Sequence, residues 1–430
     1  MLARWLYTLL FYLSVPVLLV RLYLRARHNT HYRHRVAERF GHYHQKPLSR
    51  SLWIHTVSVG EFIAALPLIK RMLAAHPDLP VVITNMTPTG SERVQTAFAE
   101  SIASGRVVNV YLPYDLPHAI NRFLTRFKPE ILVVMETELW PNLIHFSWRR
   151  KIPILLANAR MSEKSAQGYQ RVPTLVRPML REISLVAAQA EADGERFIDM
   201  GLPPASLQVT GTLKFDLEIA DATLAAARRL RESWGNSRKV FIAASTHEGE
   251  DEQVLEAFRL IHCEIPEALL ILVPRHPERF EPVAALLASQ GWQMACYSRS
   301  EPVTAETEVV LGDVMGQLLP MLGAADVAFI GGSLEPVGGH NMLESLAMGT
   351  PAITGPHVFN FKVVADLLTD WGVLGTVTTP LGLAHAVLAL FADEPERLRL
   401  AEEGRKVVDL NRGALERVFN HIERLLSSNA

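Results

Sequence analysis

Cysteine is nearly missing from this chain of 430 residues, which holds only Cys263 and Cys296. A disulfide framework and a cysteine-based zinc cluster are therefore excluded, and both thiols read as small core residues of a cytosol-facing protein. A large charge of one sign is missing too, since 43 Lys and Arg nearly cancel 45 Asp and Glu. Low-complexity segments and short-period repeats are absent. So are the Ser nucleophile elbow and the HExxH zinc signature, which removes the common hydrolase chemistries. Long hydrophobic runs are also absent, with one exception at the start of the chain.

That exception is "WLYTLLFYLSVPVLLV", residues 5–20, uncharged and about 24 Å long as a helix at ~1.5 Å per residue. "RLYL" extends it toward the ~30 Å of a hydrocarbon core if Arg21 snorkels. No small-residue cleavage site follows; Arg21, Arg25 and Arg27 do. A basic flank on the C-terminal side places the body in the cytoplasm by the positive-inside rule, and an interfacial helix lying in the membrane is the alternative. Residues 1–50 carry nine Lys or Arg against one acid, so the remainder is acidic. The stretch "RARHNTHYRHRVAERFGHYHQK" interleaves arginines, aromatics and five histidines. Following an apolar anchor, it reads as resting on anionic lipid rather than on nucleic acid.

Beyond residue 50, short apolar runs alternate with amphipathic stretches, the pattern of βαβ units around a parallel sheet. Strands are expected at "LWIHTVS", "VVITNM", "VVNVYLP", "ILVVME", "IPILLANA", "SLVAAQ" and "LQVTGT". After a charged helical stretch at 217–238, a second series follows at "VFIAAS", "LLILVP", "WQMACY", "EVVLGD", "VAFIGG" and "PAITGP". Two doubly wound α/β domains result, and residues 395–427 read as a long charged helix. Ligands of such sheets bind outside the carboxyl ends of the strands, often between domains.

Several charged residues fall at those ends. Glu61 follows Gly60 after the first strand, where a helix N-terminus favours an ionised carboxylate. Glu136 and Glu138 follow "ILVVM"; strand alternation sends both the same way, so only one need face the ligand. Lys214 follows the last strand of the first half, and Arg275 and His276 follow "LLILVP". Gly331, Gly332, Gly338 and Gly339 form a loop read as cradling phosphate before a helix that opens near Asn341, with Asn341 and Glu344 as a capping box. Together these groups suit transfer from an anionic, phosphate-bearing donor, with a carboxylate taking a hydroxyl proton and cations holding the leaving phosphate.

"SVGE" (58–61), "METELWPN" (135–142), "NARMSEKS" (158–165), "LKFD" (213–216), "STHEGE" (245–250), "PRHPER" (274–279), "GGHNMLE" (338–344) and "GPHVFNFK" (355–362) together resemble the Kdo transferases of lipopolysaccharide synthesis, over nearly the whole chain. The resemblance implies a GT-B glycosyltransferase: two Rossmann-like domains with a cleft between them, plus an N-terminal membrane-anchor helix. The implied division is an anchor and basic flank at 1–27, an acceptor-binding domain at 28–216, a CMP-Kdo-binding domain at 217–410 and a C-terminal helix at 411–430. It implies transfer of 3-deoxy-D-manno-oct-2-ulosonic acid (Kdo) from CMP-Kdo to a lipid A precursor, lipid IVA, with inversion and with no cofactor or metal. The body would then sit on the cytoplasmic side of the cell inner membrane, against its lipids. Carried over by motif, Glu61 is the general base, and Glu136 and Lys214 stabilise the transition state. The nucleotide is held by Arg275, His276, Met315, Gly316, Gln317, Asn341, Met342, Leu343 and Glu344. Gln317 stands where relatives often have Glu, so backbone contacts are expected there. The alternatives are a GT-B transferase using another nucleotide sugar, and a membrane-anchored nucleotide-binding regulator without turnover.

Overall fold

β-Branched runs bounded by Gly, Pro and Asn bury both faces once paired, which is what a parallel sheet demands. The computed structural model describes residues 2–26, 30–217 and 219–428. It divides into two units, residues 1–216 with 412–430, and residues 217–411.

The first unit holds β1 (Ser51–His55), β2 (Val81–Asn85), β3 (Val107–Tyr111), β4 (Pro129–Met135), β5 (Ile154–Ala159), β6 (Leu185–Ala188) and β7 (Leu207–Val209). Their order in the sheet is β3-β2-β1-β4-β5-β6-β7, and every pairing is parallel. Alternation along β1 splits the interior into two layers. Trp53 joins Phe123, Phe127 and Leu132 on one face, while Leu52 and Ile54 join Phe62, Leu68 and Ile69 on the other.

The second unit holds β8 (Val240–Thr246), β9 (Leu269–Pro274), β10 (Met294–Cys296), β11 (Val309–Leu311), β12 (Val327–Ile330), β13 (Ala352–Thr354) and β14 (Leu374–Thr376), in the order β10-β11-β9-β8-β12-β13-β14. The thirteen expected strands are all present, and β14 is an addition. Both sheets reverse direction of growth once, between β1 and β4 and between β8 and β12. Those switch points are where doubly wound sheets open a crevice at their carboxyl ends.

Three expectations change. The helical pattern at 395–427 is two helices, Glu394–Leu410 and Ala414–Ser427, broken at Gly413, whose φ is +93°. Asp216 fixes the break by accepting from the N–H groups of Gly413 at 2.6 Å and Leu415 at 2.7 Å. The final helix belongs to the first unit, where Val418, Phe419 and Ile422 pack into the layer of Ile54 and Phe62. Cys263 is exposed, because the helix Glu250–Glu264 turns Val254, Leu255, Phe258 and Ile261 inward and leaves it on the outer side; only Cys296 is buried.

The basic stretch after the anchor is also largely consumed inside the first unit. Arg35 pairs with Glu38 at 2.8 Å and donates to Ser91 Oγ and the Asn109 carbonyl. Buried Arg39 donates to the Met86 carbonyl and lies 4.4 Å from the Tyr111 ring centroid. Arg27 and His28 lie outside the described residues.

Deleting residues 412–430 should therefore cripple the first unit rather than trim a tail. Each large side chain withdrawn from that layer costs about 1.5–3 kcal/mol, against a typical total of about 5–15 kcal/mol. Limited proteolysis of the truncated chain should cut within residues 51–216 first.

Candidate active site

The helix α2 (Val59–Ala75) starts directly behind β1. Ser58 is its N-cap, its Oγ accepting from the Glu61 N–H at 3.4 Å. Glu61 closes the reciprocal half of a capping arrangement, accepting from the Val57 N–H at 2.7 Å and from Ser58 Oγ at 3.3 Å. Its carboxylate is held at the β1 end of the switch point and is 9% exposed. The space beside it is open, since a Cβ on Gly60 would meet only Ser58 Oγ, at 3.8 Å.

Burial pushes the Glu61 carboxyl up to about 8, against the lowering pull of the Val57 N–H, and the charges of Glu136 and Glu138 raise it further. Burial thus works against the ionised carboxylate that the helix N-terminus was expected to favour. A helix N-terminus contributes about 0.3–1 kcal/mol, less than one pKa unit, whereas desolvation moves buried groups by several.

Glu136 stands at the carboxyl end of β4 with φ +55°, a left-handed backbone that strains a residue with a side chain. Its Oε2 lies 3.7 Å from Arg160 Nε. Glu138, also at this end, accepts from Trp140 Nε1 at 3.0 Å and is raised by burial and by Glu136. Lys214 is carried by the turn Leu213–Phe215; burial lowers its pKa, and the charge of Glu136 opposes that. Asn158, itself at φ +53°, accepts from the Leu213 N–H at 3.1 Å and so fixes the turn that carries Lys214. The structure thus brings Glu61, Glu136 and Lys214 into one electrostatic group. Glu138, expected only as the alternative to Glu136, joins it there, and Arg160, which the sequence reading left out, is added. A cavity of about 360 Å³ beside Glu138 is lined by Tyr7, Trp140, Tyr169, Val172 and Met179.

In the second unit a different device occupies the switch point. Glu250, fully buried, accepts from the N–H groups of Gly332 at 2.6 Å, Ser333 at 2.8 Å, Leu334 at 2.9 Å and His247 at 3.0 Å. The Gly338 and Gly339 N–H groups both go to the Gly332 carbonyl. The glycine-rich loop therefore spends these amides internally, and the expected phosphate cradle at Gly331–Gly332 and Gly338–Gly339 does not form. Its glycines serve close packing. A Cβ on Gly331 would stand 2.6 Å from the Ser245 carbonyl oxygen, so Gly331→Ala should cost about 1–3 kcal/mol by overpacking, read as a lower urea midpoint.

The following helix begins at Leu343 and has six residues, with Met342 rather than Asn341 before it. Asn341 instead accepts from the Leu343 N–H at 3.2 Å and donates from Nδ2 to Glu344 at 3.1 Å. Burial raises the Glu344 carboxyl, opposed by the Asn341 hydrogen bond and by the charge of Arg275, which also helps depress His340 and His247. Burial is the main cause of the His340 shift, to about 3, so its ring is neutral. His247 and His340 share a 2.8 Å contact between their Nε2 atoms, and His276 meets His247 edge-on with centroids 5.3 Å apart. Arg275, His276, Asn341 and Glu344 are thus gathered around a neutral histidine pair that sequence reasoning missed. Met315, Gly316 and Gln317 form an exposed turn after β11, and among the described residues no hydrogen bond ties them to Arg275, Asn341 or Glu344.

The family model described as 3-Deoxy-D-manno-octulosonic-acid transferase (kdotransferase) matches residues 34–217, and that of Glycosyl transferases group 1 matches residues 239–407. A 3-deoxy-D-manno-octulosonic acid transferase of Haemophilus influenzae is 43% identical over 429 residues, covering 99% of each chain. The chain belongs to the Kdo transferase family. Another Kdo transferase, from Bordetella pertussis, is 36% identical over 387 residues, covering 88% of each chain. A solved glycosyltransferase from Rickettsia africae shares the fold at a TM-score of 0.57 and 12% identity, over 88% of this chain and 99% of that one. The enzyme is a glycosyltransferase with two parallel α/β units of the GT-B kind and one N-terminal apolar helix.

The signals for the missed residues were weak. Arg160 follows β5 within "NARMSEKS", and His247 and Glu250 sit within "STHEGE". Each is a lone polar residue whose partner lies on another element.

Proposed function

We propose that this Kdo transferase moves Kdo from CMP-Kdo to a lipid A precursor, lipid IVA, in lipopolysaccharide synthesis at the cytoplasmic face of the inner membrane. The observation that carries the reading is a carboxyl group at the β1 end of the first sheet's switch point, poised near pH 8 by burial and backed by Glu136. Ionised Glu61 takes the proton of the acceptor hydroxyl as its oxygen attacks the anomeric carbon of Kdo. The bond from that carbon to the CMP phosphate oxygen breaks, and CMP leaves with the electron pair. A single displacement of this kind inverts the anomeric centre. Lys214, whose charge Glu136 supports, stabilises the charge that develops. Arg275 offers a planar fork to the phosphate of CMP, and Glu344 and Asn341 offer polar groups to its ribose. Backbone atoms of the exposed 315–317 turn complete the nucleotide contacts.

The test is transfer from CMP-Kdo to a tetraacylated lipid A precursor, without added metal, by wild type and Glu61→Ala. Wild type should transfer, and the variant should lose about 100-fold or more, the usual worth of a general base. CMP binding without any turnover in wild type would sink the proposal and favour a regulator. Displacement of CMP by UDP at equal concentration would point to a different nucleotide sugar.

A further inference from the structure

The N-terminal helix α1 (Leu2–Arg25) is long and apolar enough to cross a membrane. Yet it is not a free rod. Arg4 Nη1 donates to Asn142 Oδ1 at 3.2 Å, and Thr8, the helix's buried residue, exchanges hydrogen bonds with the same amide at 3.0–3.1 Å. Phe11 meets Trp140 edge-on at 6.5 Å and Tyr114 at 6.4 Å, and Tyr12 is 2.6 Å from His118 Nδ1. Val15 and Leu18 pack with Tyr114, Leu116 and Ala119. Near the other end Arg33 lies 4.4 Å from the Tyr23 ring centroid, and Ala26 is buried. Contacts with the first unit therefore run from Arg4 to Tyr23, about 28 Å of helix at ~1.5 Å per residue.

On the opposite side, Leu2, Leu6, Leu9, Leu13, Val17 and Val20 recur at three- and four-residue steps, each more than half exposed. They form an apolar stripe with no charged residue on it. Arg21 and Arg25, both exposed, stand at its end.

We propose that this helix does not cross the bilayer but lies in its surface, docked against the first unit on one side and sunk into the acyl region of a single leaflet on the other. A helix standing upright would drag what is bonded to it into hydrocarbon, including the Asn142 amide, the Asp115 carboxylate that accepts from the Asn142 N–H at 2.9 Å, and His118. Charged and polar groups there are costly, whereas the in-plane pose buries only the apolar stripe. Arg21 and Arg25 then meet anionic headgroups, so the occupant of the stripe is a phospholipid leaflet carrying negative charge.

The experiment uses the full chain in a Cys263→Ser background, since Cys296 is buried and unreactive to labelling. Leu2→Cys, Leu9→Cys, Leu13→Cys and Val20→Cys are each labelled with an environment-sensitive fluorophore. Each is bound to phosphatidylethanolamine–phosphatidylglycerol vesicles carrying bromine at a shallow or a deep acyl position. An in-plane helix gives all four probes the same preference for shallow bromine. A spanning helix gives Leu9→Cys and Leu13→Cys a preference for deep bromine and leaves Leu2→Cys and Val20→Cys shallow, and that profile overturns the proposal. Absence of quenching at every position overturns it as well. Arg21→Gln combined with Arg25→Gln should weaken vesicle binding about 30-fold, at ~1 kcal/mol per arginine. These readouts are independent of Kdo transfer, so failure of the donor assignment would leave them unchanged.

Discussion

Glu61→Gln is expected to remove transfer and, above about pH 8, to make the protein harder to unfold. The two effects share one cause. In the folded chain burial raises the Glu61 carboxyl to about 8, above its ordinary 4.5. A carboxyl raised on folding stabilises the native state below its unfolded pKa, and that contribution is lost progressively as pH rises to the folded pKa. Above about pH 8 the native state holds a desolvated charge next to Glu136 and Glu138, and the amide removes it. Differential scanning calorimetry of wild type and variant at pH 6 and pH 9 tests this. The gap in Tm should be larger at pH 9, and equal gaps at both values would show that Glu61 is already ionised at pH 6. The same shift predicts the rate profile. A base must be unprotonated to act, so kcat/KM of wild type should rise about tenfold per pH unit below 8 and level off above it. A plateau reaching down to pH 6 would contradict the burial argument.

Glu250→Ala should unfold the second unit or loosen it enough to lose CMP. Four backbone N–H groups converge on that carboxylate, and three of them belong to Gly332, Ser333 and Leu334. Each buried N–H left without a partner costs about 1–3 kcal/mol, so the variant forfeits a large part of a domain's ordinary stability. Glu250→Gln separates fold from site. Its carbonyl oxygen still accepts, but its amide nitrogen faces donors, so the loop shifts while the sheet survives. Circular dichroism should therefore stay native for Glu250→Gln while CMP affinity, read by calorimetry, falls at least tenfold. Unchanged affinity would mean that the loop's position does not matter to the nucleotide.

Thirteen strands were legible as short apolar runs, most of them containing β-branched residues, set between helix-periodic stretches; β10, Met294–Cys296, has no β-branched residue and stood out by its spacing alone. β14 was not, since Leu374–Thr376 is three residues with a glycine in the middle and offers neither length nor alternation. Glu61 was legible as a carboxylate at a strand end beside a glycine. Its protonation was not, because the desolvation comes from how the chain packs around it, and the raising charges sit on Glu136 and Glu138, 75 and 77 residues away in sequence. The glycine-rich loop was misread for a related reason. Four glycines before a short helix look like a phosphate cradle until the acceptor of their amides is known. For Gly332 that acceptor is Glu250, 82 residues upstream, while Gly331 donates to the Ala244 carbonyl and Gly338 and Gly339 donate to the carbonyl of Gly332 itself. Local pattern picks out polar groups at the strand ends, and distant packing decides which of them are already bonded.

The helix Ala414–Ser427 gives the chain a problem of timing. During synthesis the strands of the first sheet have all emerged once Val209 leaves the ribosome, but the layer that Val418, Phe419 and Ile422 complete stays open while residues 217–411 are made. At about 5–20 residues per second that interval is roughly 10–40 s. For that time Ile54, Phe62 and Leu68 border an uncovered apolar seam on a nascent protein whose first helix is itself long and apolar. The ribosome-bound intermediate is thus the form of this protein most exposed to aggregation and to chaperone capture, and its release coincides with the arrival of the residues that close it.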